Sequence, residues 1–175
     1  EATDPPDSDS LEKMLPATLT ILKSIPIFFK IDRCKIAELC KGGKRRIITS
    51  GQLISKCGER IENMFIVCSG KARGECCGAT TRIFSMGDTF GELAIYLGYL
   101  QHVCEEHDVG CRNSEPFKPW LIHGADIVGD EPGWILEFSM DNLFRLFLHS
   151  PRLLCNVVRV GEEQLQAERA GGRAE

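Results

Sequence analysis

Glycines stand at the ends of short β-type runs, and that spacing constrains the fold more than any other feature. Ile47-Ile48, Leu53-Ile54 and Met64–Cys68 are apolar runs punctuated by Gly51, Gly58, Gly70, Gly78 and Gly87. Short strands at nearly regular spacing with a glycine at each corner predict a sandwich or small barrel. Glycine is the residue that reverses a chain with positive φ at little steric cost. A second strand region is expected over Ile122–Val128 and Trp134–Phe138.

Helices are expected on both sides of this β-rich middle. Pro16 suits the first turn of a short helix through Lys23, where its missing N–H is no loss. Asp32 reads as the N-cap of Arg33–Cys40, with Gly42 and Gly43 ending that helix and Ile36, Leu39 and Cys40 on one buried face. Phe28 and Phe29 are expected to pack the N-terminal helices on the barrel, and Trp134, Phe138, Phe144 and Phe147 read as core. Asp141 reads as the cap of Asn142–His149, whose apolar stripe is Leu143, Phe144, Phe147 and Leu148. Pro151 opens a last helix carrying Leu153, Leu154, Val157, Val158 and Leu165. The organisation that follows is a lead-in over 1–15, one domain over 16–165 with an inserted loop over 98–120, and a polar tail over 166–175. No internal repeat is visible.

Composition narrows the function classes. The chain has 175 residues, 43% hydrophobic and 26% charged, with a formal net charge of −4. That is the make-up of a soluble globular domain, and its sign argues against a nucleic-acid partner. The basic run Lys41, Lys44, Arg45 and Arg46 reads as a solvated loop and strand start. No apolar run approaches the ~20 residues of a membrane helix. Of nine cysteines without a CxxC pair, in a chain large enough to fold unaided, most read as reduced, half-buried thiols of a cytoplasmic protein. Among them Cys40, Cys68 and Cys155 lie inside apolar patterns. The chain begins on Glu1, which reads as a processed chain or a fragment.

The segment that carries chemistry is Arg82–Tyr96, RIFSMGDTFGELAIY. A strand ends at Ile83-Phe84, Gly87-Asp88 turns the chain, and Phe90–Tyr96 suits one or two helical turns. A glycine at the opening of a short helix leaves backbone N–H groups facing outward, where orphan donors and the helix dipole favour an anion. Gly91 has no side chain to block a phosphate. Glu92, one residue on, suits a hydroxyl donor beside that phosphate, such as a ribose 2′-OH.

Phe90-Gly91-Glu92-Leu93-Ala94 resembles the phosphate-binding cassette of the cyclic-nucleotide-binding domain family, which includes regulatory subunits of cAMP-dependent protein kinase, cyclic-nucleotide-gated channels and the catabolite activator protein. Leu22–Phe28 resembles the family's opening helix and Gly51-Gln52-Leu53-Ile54 its "G-E-x-I" strand. Gly58-Glu59, Met64-Phe65-Ile66-Val67 and Ser69-Gly70-Lys71 resemble its "G-D…F-Y-I-I-x-x-G-x" run, and Ile135–Phe147 the strand and helix after the barrel. The ordered set, over about Leu22 to Leu165, carries the resemblance more than any one piece. It implies a mainly β fold with flanking α: an eight-stranded β-roll or jelly-roll barrel with N-terminal helices and two C-terminal helices. It also implies a non-catalytic regulatory module that binds cAMP or cGMP as ligand and needs no cofactor. In it Gly91 would donate to phosphate, Glu92 would hold ribose, Phe90, Leu93 and Ala94 would complete the cassette, and the Pro151 helix would act as a lid.

The sequence departs from the family at one place. The family's phosphate-binding arginine follows the cassette in a "P-R-A" setting, and Ile95–Gln101 contains no arginine. The next candidate setting is Pro119-Trp120-Leu121, which would put Trp120 at the arginine position. Losing a charge-assisted contact to an anion costs about 1.5–3 kcal/mol, on the order of tenfold to a hundredfold in affinity. Arg112, inside the inserted loop, is the substitute cation that the sequence offers. Three readings stay open: cyclic-nucleotide binding through another cation, nucleoside binding with Glu92 on ribose and Trp120 stacking, and a structural adaptor with an idle pocket.

The inserted loop also holds His102, Cys104, His107 and Cys111, two imidazoles and two thiols whose alternative readings are a zinc site or a polar loop. Nucleophilic catalysis from Cys104 with His107 or His102 lacks an orienting third group, and Glu162 and Glu163 read as a solvated helix face. A helix-turn-helix is not expected after the last long helix in this segment. The expected partners are a cyclic nucleotide or nucleoside, and a protein or further domains of a parent chain, with no DNA and no membrane insertion.

Overall fold

The computed structural model describes residues 18–92, 94–98 and 123–171. Helix α1 covers 18–24. A 3₁₀ turn at Pro26–Phe28 follows, then α2 at Arg33–Lys41. The strands are β1 (Lys44–Ile48), β2 (Leu53–Ser55), β3 (Asn63–Cys76), β4 (Ala79–Phe84), β5 (Thr89–Phe90) and β6 (Asp126–Ser139). Helix α3 holds Glu92 and 94–98, and α4 (Met140–Leu148) and α5 (Pro151–Gly171) close the chain. The architecture is mainly antiparallel β with flanking helices, as expected. The described residues form one sheet of six strands, against the closed eight-stranded barrel expected.

Two 14-residue strands, β3 and β6, form the spine of that sheet, paired from Asn63↔Ser139 to Glu75↔Asp126. β1 and β2 pair with β6, and β4 and β5 pair with β3, all antiparallel. The sequence predicts a break between Val128 and Trp134, yet β6 runs through it. The reason is a series of register shifts between Val67 and Ala72. At Gly70 φ is +72°, and a Cβ there would lie 2.6 Å from the carbonyl oxygens of Glu131 and Pro132. A Cβ on Gly133 would run into the Ser69 carbonyl. The two backbones touch at the bulge, which is where a strand tolerates Pro132 and Gly133.

Side chains on a strand alternate between faces, and here each face has its own core. Met64, Ile66, Cys68, Leu136 and Phe138 pack with α1, α2, α3, α4 and α5 through Leu22, Ile36, Leu39, Ile95, Leu143 and Leu153. Phe65, Val67, Ala72 and Ile135 point the other way, into a cluster with Ile48, Ile54, Phe84, Phe90 and Ile127. Burying each such side chain stabilises the fold by about 1.5–3 kcal/mol.

The five predicted corner glycines, Gly51, Gly58, Gly70, Gly78 and Gly87, all have positive φ. Other expectations are corrected. Asp141 lies in the first turn of α4, and Ser139 does the capping, its Oγ accepting from the Asn142 N–H at 3.3 Å. Asp32 stands at the N-cap position of α2 without a side-chain cap hydrogen bond. Phe28 is buried but Phe29 is 55% exposed, because the 3₁₀ turn directs the two rings apart. Cys155 is exposed on α5, and so are Cys34, Cys57, Cys76 and Cys77; among the described cysteines only Cys40 and Cys68 are buried. Burial pushes the Cys40 thiol up to about 11 and the Cys68 thiol up to about 12. Helix α5 carries on beyond 165 to Gly171.

Candidate functional site

The cassette segment is anchored before it turns. The Ser85 N–H donates to Asp88 Oδ2 at 2.8 Å, and the Gly87 N–H donates to the Val67 carbonyl at 2.8 Å. The Val67 N–H donates back to the Asp88 carbonyl at 3.0 Å. The turn is thereby clamped to the middle of β3, and Thr89-Phe90 pairs with Ile66 and Phe65. The Phe90 ring stacks on Phe65 at 4.8 Å between centroids and tilts against Phe84 at 5.1 Å. Phe90 therefore holds the cassette to the sheet from inside the second core.

Gly91 has φ +86°, and a Cβ there would lie 2.5 Å from the Asn63 carbonyl oxygen. Only glycine fits both the conformation and the approach to β3. Glu92 follows as a buried residue, 8% exposed, at the start of α3. Ala94, Ile95, Tyr96 and Leu97 are buried as well, with Ile95, Tyr96 and Leu97 in the helix-side core.

Helix α3 is wedged against both C-terminal helices. A Cβ on Gly98 would lie 2.7 Å from Cζ of Phe144 on α4. Gly161 of α5 faces Tyr96 so closely that a Cβ would lie 2.5 Å from Cδ1 and 2.6 Å from the tyrosine Cβ. The absence of side chains at Gly98 and Gly161 is what lets the three helices meet at this distance.

Beside this junction lies a cavity of about 430 Å³, lined among others by Arg60, Asn63, Ala94, Gly98, Asp141 and Phe144. Its size falls within the ~300–1,000 Å³ of small-molecule sites. Arg60 lines the same space as cassette residue Ala94, and so do the acidic residues Glu62 and Asp141. Sequence reasoning missed Arg60; the signal was its position just ahead of the Met64-Phe65-Ile66-Val67 run, where only Gly58-Glu59 drew notice. Several other cations of the sheet are engaged elsewhere. Arg73 pairs with Glu75 and Asp130, each at 2.6 Å, and Lys71 pairs with Glu131 at 2.5 Å. Arg46 donates to the Ile54 and Leu53 carbonyls at 3.3 Å, and the Arg45 guanidinium lies 5.1 Å from the Trp134 ring centroid.

Of the expected cassette residues that are described, Ala94 lines this cavity, Phe90 packs in the second core, and Gly91 and Glu92 are not among the lining residues. Leu93, Arg112, Trp120 and the loop residues His102, Cys104, His107 and Cys111 lie outside the described residues. Among the described residues no group of three or more His, Cys, Asp or Glu side chains is arranged to hold a metal ion, and no helix is long and apolar enough to cross a membrane.

No protein-family model and no curated protein sequence matches the chain. Solved structures do. The chain is similar to cAMP-bound PfPKA-R, with a TM-score of 0.61 and 19% identity over 91% of this chain and 49% of that one. It is similar to the catabolite activator protein of Thermus thermophilus, with a TM-score of 0.62 and 18% identity over 83% of this chain and 61% of that one. It is also similar to the sensor domain of the transcriptional regulator DNR of Pseudomonas aeruginosa, with a TM-score of 0.66 and 13% identity over 90% and 95%. The chain thus spans about half of the PfPKA-R chain and less than two thirds of the Thermus protein. The fold is that of a cyclic-nucleotide-binding domain.

Proposed function

We propose that this chain is a non-catalytic, ligand-sensing regulatory module. It takes a cyclic nucleotide at the Gly91-Glu92 turn and relays occupancy through α4 and α5. The observation that carries this reading is the wedge. The helix that begins at Glu92 is packed on Phe144 of α4 and Gly161 of α5 without intervening side chains. A ligand that shifts Gly91 and Glu92 must shift both C-terminal helices, because packed interiors do not deform continuously. Switching then requires tighter binding to one arrangement than to the other.

In this reading Gly91 offers its backbone to phosphate, Glu92 accepts from the ribose hydroxyl, and Ala94 lines the phosphate end. Arg60 supports the version in which a cation other than the family's arginine balances the anion, since it lines the cavity that Ala94 and Gly98 share. The cytoplasmic setting and a partner protein, or further domains of a parent chain, belong to the same proposal.

A second reading is favoured by a different observation. The sheet face opposite the helices is filled by its own rings, Phe65, Phe84 and Phe90, packed on one another. A filled interior suits a structural adaptor that docks on a partner with no nucleotide.

Calorimetric titration with cAMP, cGMP and adenosine separates these readings. A sensor shows saturable binding to a cyclic nucleotide and a rise in melting temperature that grows with ligand concentration. Both effects are lost in Glu92→Ala. Binding of adenosine alone would favour the nucleoside version. An absence of heat and of any melting shift with all three would leave the adaptor.

A further inference from the structure

The tip of the β3–β4 hairpin carries chemistry that the sensor reading does not use. Cys76 pairs with Ala79 across a two-residue turn made of Cys77 and Gly78. Both turn residues have positive φ, +52° for Cys77 and +79° for Gly78. Turns of this kind favour asparagine, aspartate or glycine at the first position, and a cysteine there is uncommon. The turn sets the two exposed thiols side by side, with 3.9 Å between the sulfurs.

Two fates are open to adjacent thiols. Direct oxidation would close a disulfide between neighbouring residues, whose Cα atoms are ~3.8 Å apart, below the ~4.4–6.8 Å that disulfides favour. Chelation has no such conflict. Two sulfurs at ~2.3 Å from one tetrahedral ion stand about 3.8 Å apart, close to the observed separation. The surroundings are also suited to a cation. Cys57 and Asp126 lie close enough to the Cys76 thiol to act on it electrostatically. The Cys57 N–H donates to Asp126 Oδ1 at 2.6 Å, and Asp126 is the cross-strand partner of Glu75. Cys57 and Asp126 thus lie near the hairpin tip, while the Glu75 carboxylate is taken by Arg73 at 2.6 Å.

We infer that Cys76 and Cys77 form a two-thiolate chelate for a thiophilic closed-shell cation of the Zn²⁺ or Cd²⁺ type. Each thiol gives up its proton to solvent and forms one sulfur–metal bond, with no change in oxidation state. Among the described residues no group of three or more His, Cys, Asp or Glu side chains is arranged to hold a metal ion, so of these residues Cys76 and Cys77 supply two of the ion's coordination positions. The site lies at the opposite end of β3 from the Asn63 contact with Gly91 and does not depend on the nucleotide reading.

The test is a Cd²⁺ titration of the full reduced chain, read by the ultraviolet thiolate-to-metal charge-transfer band and by calorimetry. It is run in a Cys104→Ser, Cys111→Ser background that removes the loop thiols. The expected result is one ion per chain. Cys76→Ser and Cys77→Asn should each weaken binding by roughly a hundredfold or more, the usual gain from joining two donors in one chelate. Asparagine accepts the left-handed turn conformation, so Cys77→Asn should keep the parent melting temperature while losing the band. Cys34→Ser and Cys155→Ser should bind as the parent does. A parent chain without the band, or a Cys77→Asn chain that binds as tightly as the parent, would overturn the assignment.

Discussion

Gly161→Ala sets two effects of known size against each other. In an exposed helix alanine is better than glycine by about 1 kcal/mol, so the substitution would ordinarily stabilise α5. Here the new methyl would overlap Tyr96, reaching 2.5 Å from Cδ1 and 2.6 Å from Cβ. Carbon atoms prefer about 3.5–4.0 Å, so the overlap is about 1 Å with several atoms at once. Tyr96 is only 5% exposed, and the crowded atoms include its Cβ, which cannot swing away. Overpacking of this kind costs about 1–3 kcal/mol. The clash should offset the helix gain or exceed it, leaving the variant less stable by up to about 2 kcal/mol. For a domain of this size that lowers the melting temperature by roughly 2–4 °C per kcal/mol.

The control is Tyr96→Ala, which opens the space. In that background Gly161→Ala should become neutral or stabilising, so the double-mutant cycle should show a coupling of about 1–3 kcal/mol. Urea denaturation of the four proteins reads all the terms. If Gly161→Ala alone raises stability by the helix-propensity amount, α5 does not rest on the cassette helix. The relay proposed above would then lose its mechanical basis.

Three further outcomes follow from other contacts. Gly91→Ala must adopt φ +86° and clear the Asn63 carbonyl, so denaturant melts should show a loss of about 2–3 kcal/mol; an unchanged midpoint would refute the tight turn. Asn156 donates from Nδ2 to the Ile27 and Phe29 carbonyls at 2.9 and 2.8 Å, tying α5 to the 3₁₀ turn. Asn156→Ala should cost about 1–2 kcal/mol in the same assay, and a loss near zero would mean that water replaces both bonds. The thiols of Cys40 and Cys68 are raised from 9.0 to about 11 and about 12. Groups raised in the folded state give stability that is whole below the unfolded value and is lost as pH climbs through the folded one. Unfolding midpoints should therefore fall from about pH 9 upward, and Cys40→Ala with Cys68→Ala should flatten that part of the curve; a parent curve no steeper than the variant's would refute it.

The parts of the fold governed by local chemistry were legible in the sequence. Positive φ has few residue solutions, so Gly51, Gly58, Gly70, Gly78 and Gly87 are legible as corners from the sequence alone. The face of α2 followed from the spacing of Ile36, Leu39 and Cys40. What failed depended on distant partners. The strand runs expected at Ile122–Val128 and Trp134–Phe138 join into one strand only when the bulged partner strand at Gly70 is known. Asp141 and Ser139 are both good caps, and the end of β6 decided between them. At the candidate site, Gly91 and Glu92 could be named because the cassette is contiguous. Arg60 reaches the cavity from another part of the chain, and Phe90 is seen as a core ring only when Phe65 and Phe84 are placed around it.

The main-chain contact where β3 crosses β6 has a consequence for how such a domain can vary. At Gly70 and Gly133 the curvature of the sheet comes from peptide groups touching peptide groups. A bend made this way asks for two residues without a Cβ and leaves the other strand positions to satisfy only the alternation of buried and exposed. Chains could then drift far apart in side-chain identity and still curl around the same hollow.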